Sequence, residues 1–485
     1  MSDILHTKVV TATKWSAITE VVAKLITPVI SVVLARLLSP SAFGIVTTLM
    51  IVITFAEIFT DAGFQKFLIQ HEFRDDDERI ACTNVAFWSN LTLSFVIWGI
   101  VIVFRHPLAD LVGSSGLGNV LAIACVNIPL AAFSSIQMAI YRRDLNFKTL
   151  FKVRIVGIFV PLVVTVPLAI IFRNFWALII GNIASNAINA FFLTIYSSWR
   201  PVCFFSFSRL KDMFSFTVWS LIEAISIWLT QYVDVFIVAT ALSKYELGLY
   251  KTSSTVVGQI MGLVTTVTTP ILFSSLSRLQ NDKEGFERLF FGFQKMVGLL
   301  IIPMGVGIYI YRDFITSLML GDQWVEASGF VGLWALTSAF VIVLSHYCSE
   351  IYRAKGRPML SVLAQFLHII ILCPIIKLVV DDGFDTLYVV RSLLRFQLVL
   401  VNLVIVYVLI KLPIWKMFFN ISVATISSAI MAVTAIMLLS VSSSQWWIMC
   451  SMVLSALLYV FIISLFKEER NLLLYLYHHI RNRTL

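Results

Sequence analysis

Charged side chains are scarce in this sequence. Asp, Glu, Lys and Arg make up 13% of its 485 residues, whereas 59% are hydrophobic and the mean hydropathy is +0.91. A soluble protein carries about a quarter charged residues. The scarcity of charge excludes a soluble globular fold, because the apolar side chains exceed what soluble cores of this length bury. We expect the excess to face lipid.

Paired cysteines and catalytic motifs are also missing. The six cysteines form no C-x-x-C pair, which argues against a metal centre or a disulfide framework. The sequence lacks a P-loop, H-E-x-x-H, G-x-S-x-G and a G-x-G-x-x-G in a strand–helix context. We therefore expect no metal and no cofactor, and we predict that the chain is not an enzyme and does not itself use ATP.

Long hydrophobic runs dominate the sequence. A helix needs about 20 apolar residues to cross the hydrocarbon core. Alternating polar and apolar residues are absent, so strands are not expected. The sequence predicts fourteen transmembrane helices, at 14–37, 42–64, 80–104, 119–140, 154–172, 175–197, 214–240, 252–275, 295–311, 327–350, 360–379, 387–410, 418–441 and 446–466. The connectors are too short for a large extramembrane domain.

The basic residues indicate the orientation. The net charge of +9 does not point to nucleic acid, because Lys and Arg form short clusters between the apolar runs. Placing both termini in the cytoplasm puts most of these clusters on the inner side, as the positive-inside rule requires. The outer basic residues are then Arg36, Arg105, Arg173, Lys244, Lys251, Arg312 and Lys377. No cleavable signal peptide is evident, so we expect the first span to remain in the mature protein.

An internal repeat relates the two halves of the chain. K-W-S-A-I around Trp15 and L-S-P-S-A-F-G ending at Gly44 recur as V-W-S-L-I around Trp219 and L-S-K-Y-E-L-G ending at Gly248, both at an offset of 204 residues without a gap. Parallel repeats are a known transporter plan. We predict two six-helix pseudo-repeats forming two lobes around a central cavity, at 1–213 and 214–410. Two additional spans and a cytoplasmic tail follow at 411–485.

Charges inside the first two spans are candidate site residues, because a charge in the bilayer usually faces protein or a water-filled cavity. Lys24 and Arg36 are candidates for binding an anionic substrate. Glu20, four residues before Lys24, either tunes that site or simply neutralises Lys24, and Arg36 alternatively snorkels to the outer interface. Glu57 and Asp61 are candidate coupling or charge-pair residues, although a helix-ending role is the stronger interpretation for Asp61 before Gly63.

Further charges lie in the predicted spans of the second half. Glu223 and Asp234 stand close to one face of the seventh span, as proton- or cation-coupling carboxylates or as partners of Lys24 or Arg36. Arg391 and Arg395 form a basic pair in span twelve. Their planar guanidinium groups suit phosphate oxygens, but pairing with outer acids is an open alternative.

Several stretches together resemble one known family. The chain is similar to the polysaccharide transporter (PST, Wzx-type) branch of the multidrug/oligosaccharidyl-lipid/polysaccharide exporter superfamily. The stretches that carry the resemblance are K-W-S-A at 14–17, L-A-R-L-L-S-P-S-A-F-G at 34–44, F-T-D-A-G-F…L-I-Q across 59–70, Y-R-R-D-L-N-F-K at 141–148, V-D-V-F-I-V…L-S-K-Y-E-L-G-L-Y across 233–250, P-I-L-F-S-S-L-S-R-L-Q-N-D at 270–282 and G-D-Q-W at 321–324. They span about the first two thirds of the sequence.

The resemblance implies a bacterial inner-membrane protein that flips or exports undecaprenyl-diphosphate-linked oligosaccharide units for capsule, O-antigen or exopolysaccharide. It implies a cavity whose cationic residues receive diphosphate or acidic sugars, with Lys24 and Arg36 on the cavity-lining first helix. Lipid-linked oligosaccharide and membrane lipids are the expected partners, and a polysaccharide polymerase and a chain-length regulator are candidate protein partners. The alternative function is a cation-coupled multidrug or small-molecule antiporter of the same superfamily. A membrane-embedded sugar polymerase is disfavoured by the short outer loops.

Overall fold

The computed structural model describes residues 2–61, 63–197 and 199–471, without the side chains of 2–10, 12, 13, 17, 61, 214–220 and 223. This described part is helical and contains no strand. Its α-helices are α1 Ser2–Leu37, α2 Pro40–Asp61, α3 Phe64–Gln70, α4 Asp76–Val103, α5 Arg105–Leu111, α6 Gly118–Ala124, α7 Asn127–Arg143, α8 Phe147–Val160, α9 Val166–Phe172, α10 Trp176–Tyr196, α11 Phe207–Ala241, α12 Lys244–Arg278, α13 Lys283–Ile310, α14 Arg312–Leu320, α15 Ser328–Val341, α16 Cys348–Ala354, α17 Met359–Val379, α18 Phe384–Ile405, α19 Ile414–Leu439 and α20 Gln445–Ser464. Short π-helical turns at Pro161–Thr165, Ile342–His346 and Val406–Ile410, and 3-10 turns at Asp322–Ala327 and Val380–Asp382, link or extend them.

The prediction of fourteen transmembrane helices is confirmed. Fourteen helical segments of the described chain are long and apolar enough to cross a membrane. Helices form because a backbone N–H or C=O left unpaired in hydrocarbon costs several kcal/mol, and an α-helix pairs these groups within one segment. Large apolar side chains remain exposed along them, such as Leu457 and Phe461 of α20, as a lipid-facing surface requires.

One predicted connector is much shorter than expected. The predicted spans 252–275 and 295–311 leave residues 276–294 between them, but α12 continues to Arg278 and α13 begins at Lys283. The side chain of Asp282 accepts a hydrogen bond from the backbone N–H of Gly285 at 3.0 Å and so caps α13. Capping and helix propensity determine where a helix begins and ends, whereas hydrophobicity determines which part of it can lie in lipid. These two helices therefore extend beyond their apolar segments.

The helices cluster into two compact units, residues 1–251 and 252–485. In the first unit, α1 packs on α8, α7 packs on α4 and α10, and α11 packs on α2. In the second unit, α13 lies between α15 and α19, while α17 pairs with α18 and α19 with α20. The first unit thus includes α11, and the lobe boundary placed after residue 213 stays a prediction.

The repeat seen in the sequence recurs in the helix boundaries. Leu37 and Ala241 end α1 and α11, and Pro40 and Lys244 begin α2 and α12, both at the offset of 204 residues. The repeat-equivalent glycines lie in the first turns of α2 and α12, which touch within the first unit. A Cβ added to Gly44 would lie 1.7 Å from the carbonyl oxygen of Lys244, and one added to Gly248 would lie 1.9 Å from that of Pro40. Only glycine permits this backbone approach.

The first prediction concerns this glycine contact. Ala normally stabilises a helix interior by about 0.5–1 kcal/mol relative to Gly. We expect Gly44→Ala and Gly248→Ala to destabilise instead, by about 2–3 kcal/mol, because two backbones must separate. The measurement is the thermal unfolding midpoint of the purified protein. Gly258→Ala is the matched control, since nothing lies within 4 Å of its added Cβ. Equal midpoints for Gly44→Ala and Gly258→Ala would contradict the contact.

A charge contact attaches the segment after α20 to the second unit. The ammonium of Lys295 on α13 lies 2.6 Å from Oε2 of Glu468 and 2.8 Å from Oε1 of Glu469. Its hydrogen bond holds the pKa of the Glu468 carboxyl below the usual value of 4.5. A carboxyl whose pKa is depressed by folding stabilises the contact above its unfolded pKa, and the stabilisation disappears as pH falls through the folded pKa.

The second prediction follows from that contact. Hydrogen exchange of the backbone amides of 467–471 is expected to accelerate as the pH is lowered below 4.5 (after correction for the intrinsic exchange rate), and in Lys295→Gln at neutral pH. Lys416→Gln is the control, because Lys416 belongs to a longer ion pair of 3.9 Å with Glu287. Unchanged protection of 467–471 in Lys295→Gln would show that the ion pairs do not hold this segment.

Candidate functional site

One face of α1 is polar and points into the first unit. Ser16, Glu20, Thr27 and Ser31 stand four or seven residues apart, which places them on one side of the helix. All four line cavities between α1, α8 and α10. From Trp15 onward the rest of α1 is largely apolar, so this stripe marks the side of the helix that borders the cavities.

Two cavities follow this polar stripe. The cavity nearer the start of α8, here called the end cavity, has a volume of about 320 Å³. The second, called the mid-span cavity, has a volume of about 310 Å³. The polar side chains of the end cavity are Ser16, Thr19, Glu20, Arg142, Arg154 and Asn189, and those of the mid-span cavity are Thr27, Ser31, Arg154, Thr165, Asn182, Ser185 and Asn189. Arg154 and Asn189 line both.

Arg154 lies within α8, in a helical segment long and apolar enough to cross a membrane, and its side chain is exposed. The side chain of Asn146 accepts a hydrogen bond from the Thr149 N–H at 3.3 Å, so α8 begins at Phe147. Arg154 is seven residues further, about 10 Å along the helix axis. The predicted fifth span, 154–172, began at Arg154, whereas α8 begins seven residues earlier at Phe147. Arg154 makes no hydrogen bond or ion pair with any described residue.

Helix α10 supplies the amide side of the cavities. Asn182, Ser185 and Asn189 are half-buried, stand three or four residues apart and make no hydrogen bond to another described residue. A Cβ added to Gly157 of α8 would lie 2.6 Å from Oδ1 of Asn189. The glycine therefore leaves room for the Asn189 amide beside α8, on the helix that carries Arg154.

These cavities have mixed linings in which polar side chains lie among apolar ones. A volume of about 310 Å³ is large enough to hold several water molecules. Hydroxyl, amide and guanidinium groups without protein partners require water or a polar ligand, because an unsatisfied polar group in an apolar medium costs several kcal/mol. The cavities can therefore accommodate water, ions or hydroxylated groups.

The predicted residues of α1 do not all lie on the polar stripe. Glu20 lines the end cavity. Lys24 is half-buried and lines neither cavity. No ion pair within 4 Å joins Glu20 and Lys24, although they stand one helical turn apart. Arg36 is exposed in the last turn of α1.

The acidic candidates have different surroundings. Asp234 on α11 is buried, with 8% of its surface exposed, and its Oδ2 accepts a hydrogen bond from the Tyr250 hydroxyl at 3.1 Å. Lys251 is close enough to Asp234 for a favourable charge interaction, and its ammonium lies 5.3 Å from the Tyr232 ring centroid. Glu57 is half-buried on α2. The side chains of Asp61 and Glu223 lie outside the described part, although Asp61 is the last residue of α2.

The two arginines of α18 meet at one tryptophan in the second unit. The guanidinium carbons of Arg395 and Arg391 lie 4.0 and 5.2 Å from the Trp334 ring centroid. Arg395 also donates a hydrogen bond to the Ser338 hydroxyl at 2.6 Å. The structure thus brings the predicted pair together on the face of α15. A cation–π contact of this kind stabilises a guanidinium group that is shielded from water.

Sequence reasoning missed Arg154 and the polar residues of α10. Two signals were present: Asn146 followed three residues later by Thr149 is a helix start, and Asn182, Ser185 and Asn189 share one helix face.

No group of three or more His, Cys, Asp or Glu side chains capable of holding a metal ion occurs among residues 2–471 where they are described.

Comparison with known proteins places the chain in a family. The model of the polysaccharide biosynthesis protein family matches residues 33–329, more than half of the chain. An uncharacterized membrane protein in the cps region of Klebsiella pneumoniae is 21% identical over 77% of this chain and 76% of its own length. The succinoglycan biosynthesis transport protein ExoT of Rhizobium meliloti (strain 1021) is 23% identical over 65% of this chain and 63% of its own. The lipopolysaccharide biosynthesis protein WzxC of Escherichia coli (strain K12) is 23% identical over 66% and 65%.

Solved structures agree on the fold. The lipid II flippase MurJ in an inward closed conformation superposes with a TM-score of 0.74 at 14% identity, over 94% of this chain and 99% of that protein. An inward-facing multidrug resistance MATE family transporter of the MOP superfamily superposes with a TM-score of 0.58 at 12% identity, over 83% and 95%. At such identities the likeness concerns the fold alone. The resemblance to polysaccharide transporters is confirmed, and the chain belongs to the polysaccharide biosynthesis protein family.

Proposed function

We propose that this protein moves undecaprenyl-diphosphate-linked oligosaccharide units across the bacterial inner membrane. The names of its relatives support transport and not an enzymatic reaction, since one is a transport protein for succinoglycan biosynthesis and another serves lipopolysaccharide biosynthesis. The fold is shared with a lipid II flippase. The chain itself is a multi-pass membrane protein with fourteen apolar spans.

The observation that carries the proposal is a polar inner face on a helix that must lie in lipid. Ser16, Thr27 and Ser31 of α1 line cavities, whereas exposed apolar residues such as Leu25 and Val29 cover its other sides. A sugar head group carries many hydroxyls, each of which needs a hydrogen-bond partner when it leaves water. A polar face along a span supplies such partners while the lipid tail stays in hydrocarbon.

Lys24 and Arg36 are the residues proposed to meet the diphosphate. They stand twelve residues apart, about 18 Å along α1. Lys24 forms no ion pair with a described residue, so its ammonium is available to phosphate oxygens. We place Lys24 nearer the cytoplasm and Arg36 nearer the outer side, with both termini cytoplasmic. In this mechanism the cavity first opens inward, the head group binds, and the lobes rock to open outward.

The antiporter alternative depends on a coupling carboxylate. Asp234 is the buried candidate; it accepts a hydrogen bond from the Tyr250 hydroxyl and interacts electrostatically with the Lys251 ammonium. A positive neighbour favours the ionised carboxylate and disfavours proton uptake. The positive charge of Lys251 near Asp234 supports a structural role for this carboxylate and not a role in proton coupling. We therefore prefer the flippase function.

The third prediction tests the two basic residues of α1. Charge-assisted hydrogen bonds contribute about 1.5–3 kcal/mol, so losing one is expected to lower the export rate at least about tenfold. The variants are Lys24→Gln, Arg36→Gln and the double variant, measured as polysaccharide export in cells that depend on this protein, at equal membrane protein levels. Lys377→Gln, which removes an exposed charge from α17, is the control. Export at the control rate in the double variant would exclude both residues from the substrate site.

The fourth prediction tests the orientation. Starting from a variant without the six native cysteines, of which Cys203 and Cys450 are exposed, single cysteines are introduced as Lys377→Cys and Lys283→Cys. We expect a membrane-impermeant thiol reagent to label Lys377→Cys in intact spheroplasts and Lys283→Cys only after lysis. The reverse pattern would invert the topology and exchange the proposed places of Lys24 and Arg36.

A further inference from the structure

The mid-span cavity is positively charged and contains no acid. Arg154 is the one charged residue among its lining side chains, which are described in full. Glu20 and Arg142 line only the end cavity, where the Arg142 guanidinium donates to Oε1 of Gln65. An arginine at the centre of a membrane span costs about 3 kcal/mol on insertion scales, and a partner or water normally relieves the cost of a charge within a span. No described protein group is that partner for Arg154.

The other polar groups of the cavity complement an anion. Asn182 and Asn189 each offer two amide N–H donors, and Ser185 offers a hydroxyl donor. None of these three side chains hydrogen-bonds another described residue, so their donors are available to a ligand. A guanidinium fork with amide and hydroxyl donors suits the oxygens of phosphate or carboxylate. A cation would find no carboxylate among the lining side chains and would be repelled by Arg154.

The space for this arrangement is maintained by glycine. Gly157 stands one helical turn after Arg154 on α8, and an added Cβ there would lie 2.6 Å from Oδ1 of Asn189. A larger residue would push the Asn189 amide away from Arg154. The cavity's volume of about 310 Å³ accommodates a phosphate together with several water molecules.

We propose that Arg154, Asn182 and Asn189 form an oxyanion-binding site inside the first unit, between α1, α8 and α10. The site is separate from Lys24 and Arg36, neither of which lines this cavity. Its ligand is a phosphate-type oxyanion, either free in solution or carried by a lipid. Binding at this site does not depend on the proposed transport function, because it requires only the folded protein and the anion.

The fifth prediction is tested by titrating inorganic phosphate into the purified full-length protein by calorimetry at constant ionic strength. We expect wild type to bind phosphate and Arg154→Gln to bind at least about tenfold more weakly, since one charge-assisted bond contributes about 1.5–3 kcal/mol. Lys152→Gln is the matched control, because Lys152 lies on the same helix, lines neither cavity and points toward the Tyr196 ring at 5.9 Å. Circular dichroism and a monodisperse elution profile confirm folding of each variant.

A second variant and a second probe complete the test. Gly157→Ala leaves every charge in place and is expected to weaken phosphate binding by displacing Asn189. Undecaprenyl diphosphate in the same micelles distinguishes the sources: competition with phosphate in wild type but not in Arg154→Gln assigns the site to a lipid head group, whereas phosphate binding without competition assigns it to a free anion. Absence of phosphate binding in wild type, or equal affinity in wild type and Arg154→Gln, would overturn the proposal.

Discussion

The bilayer's inability to solvate polar groups governs this structure. Backbone amides are paired within helices, which is why the described chain is helical. The same constraint acts on side chains, and charged or amide groups inside a span must meet protein, water or a ligand. Most polar residues that line the two cavities lie on facing sides of α1, α8 and α10, whereas large apolar residues of the first unit are exposed on other sides.

Close packing and polar cavities depend on the same small residues. Gly44 and Gly248 bring the first turns of α2 and α12 into backbone contact, and Gly157 gives the Asn189 amide its place beside α8. Helices in membranes approach most closely where small residues meet. Lipid tails are as apolar as the helix surfaces, so the hydrophobic effect does not drive helices together and their association depends on close packing. Glycine therefore serves two purposes in this chain: it closes one interface at the repeat-equivalent ends, and it keeps a space open beside Arg154.

Sequence patterns predicted the elements better than the site. Hydrophobicity over about 20 residues fixes whether a segment can span the membrane, and all fourteen spans were found this way. The repeat at an offset of 204 residues correctly matched helix ends such as Leu37 with Ala241. Helix starts were less predictable, because capping and propensity carry helices such as α8 and α13 beyond their apolar cores. Arg154 stood at the very start of the predicted fifth span, whereas α8 begins at Phe147 and carries it seven residues into the helix.

Side-chain roles depend on packing that spacing alone does not give. Glu20 and Lys24 stand four residues apart, yet they form no ion pair, and of the two only Glu20 lines the end cavity. Arg391 and Arg395 were predicted as a pair, but their meeting on Trp334 depends on how α15 packs against α18. Helical periodicity gives the face of a residue, whereas the neighbouring helix decides what that face contacts.

The central claim is that the protein moves a lipid-linked oligosaccharide between leaflets. The most direct measurement uses the purified protein in liposomes with a labelled undecaprenyl-diphosphate oligosaccharide, and follows how fast the label in the inner leaflet becomes accessible to a membrane-impermeant modifying enzyme. Faster exposure than in protein-free liposomes is the predicted result. Exposure at the protein-free rate, with folded protein and with or without an ion gradient, would contradict the flippase function.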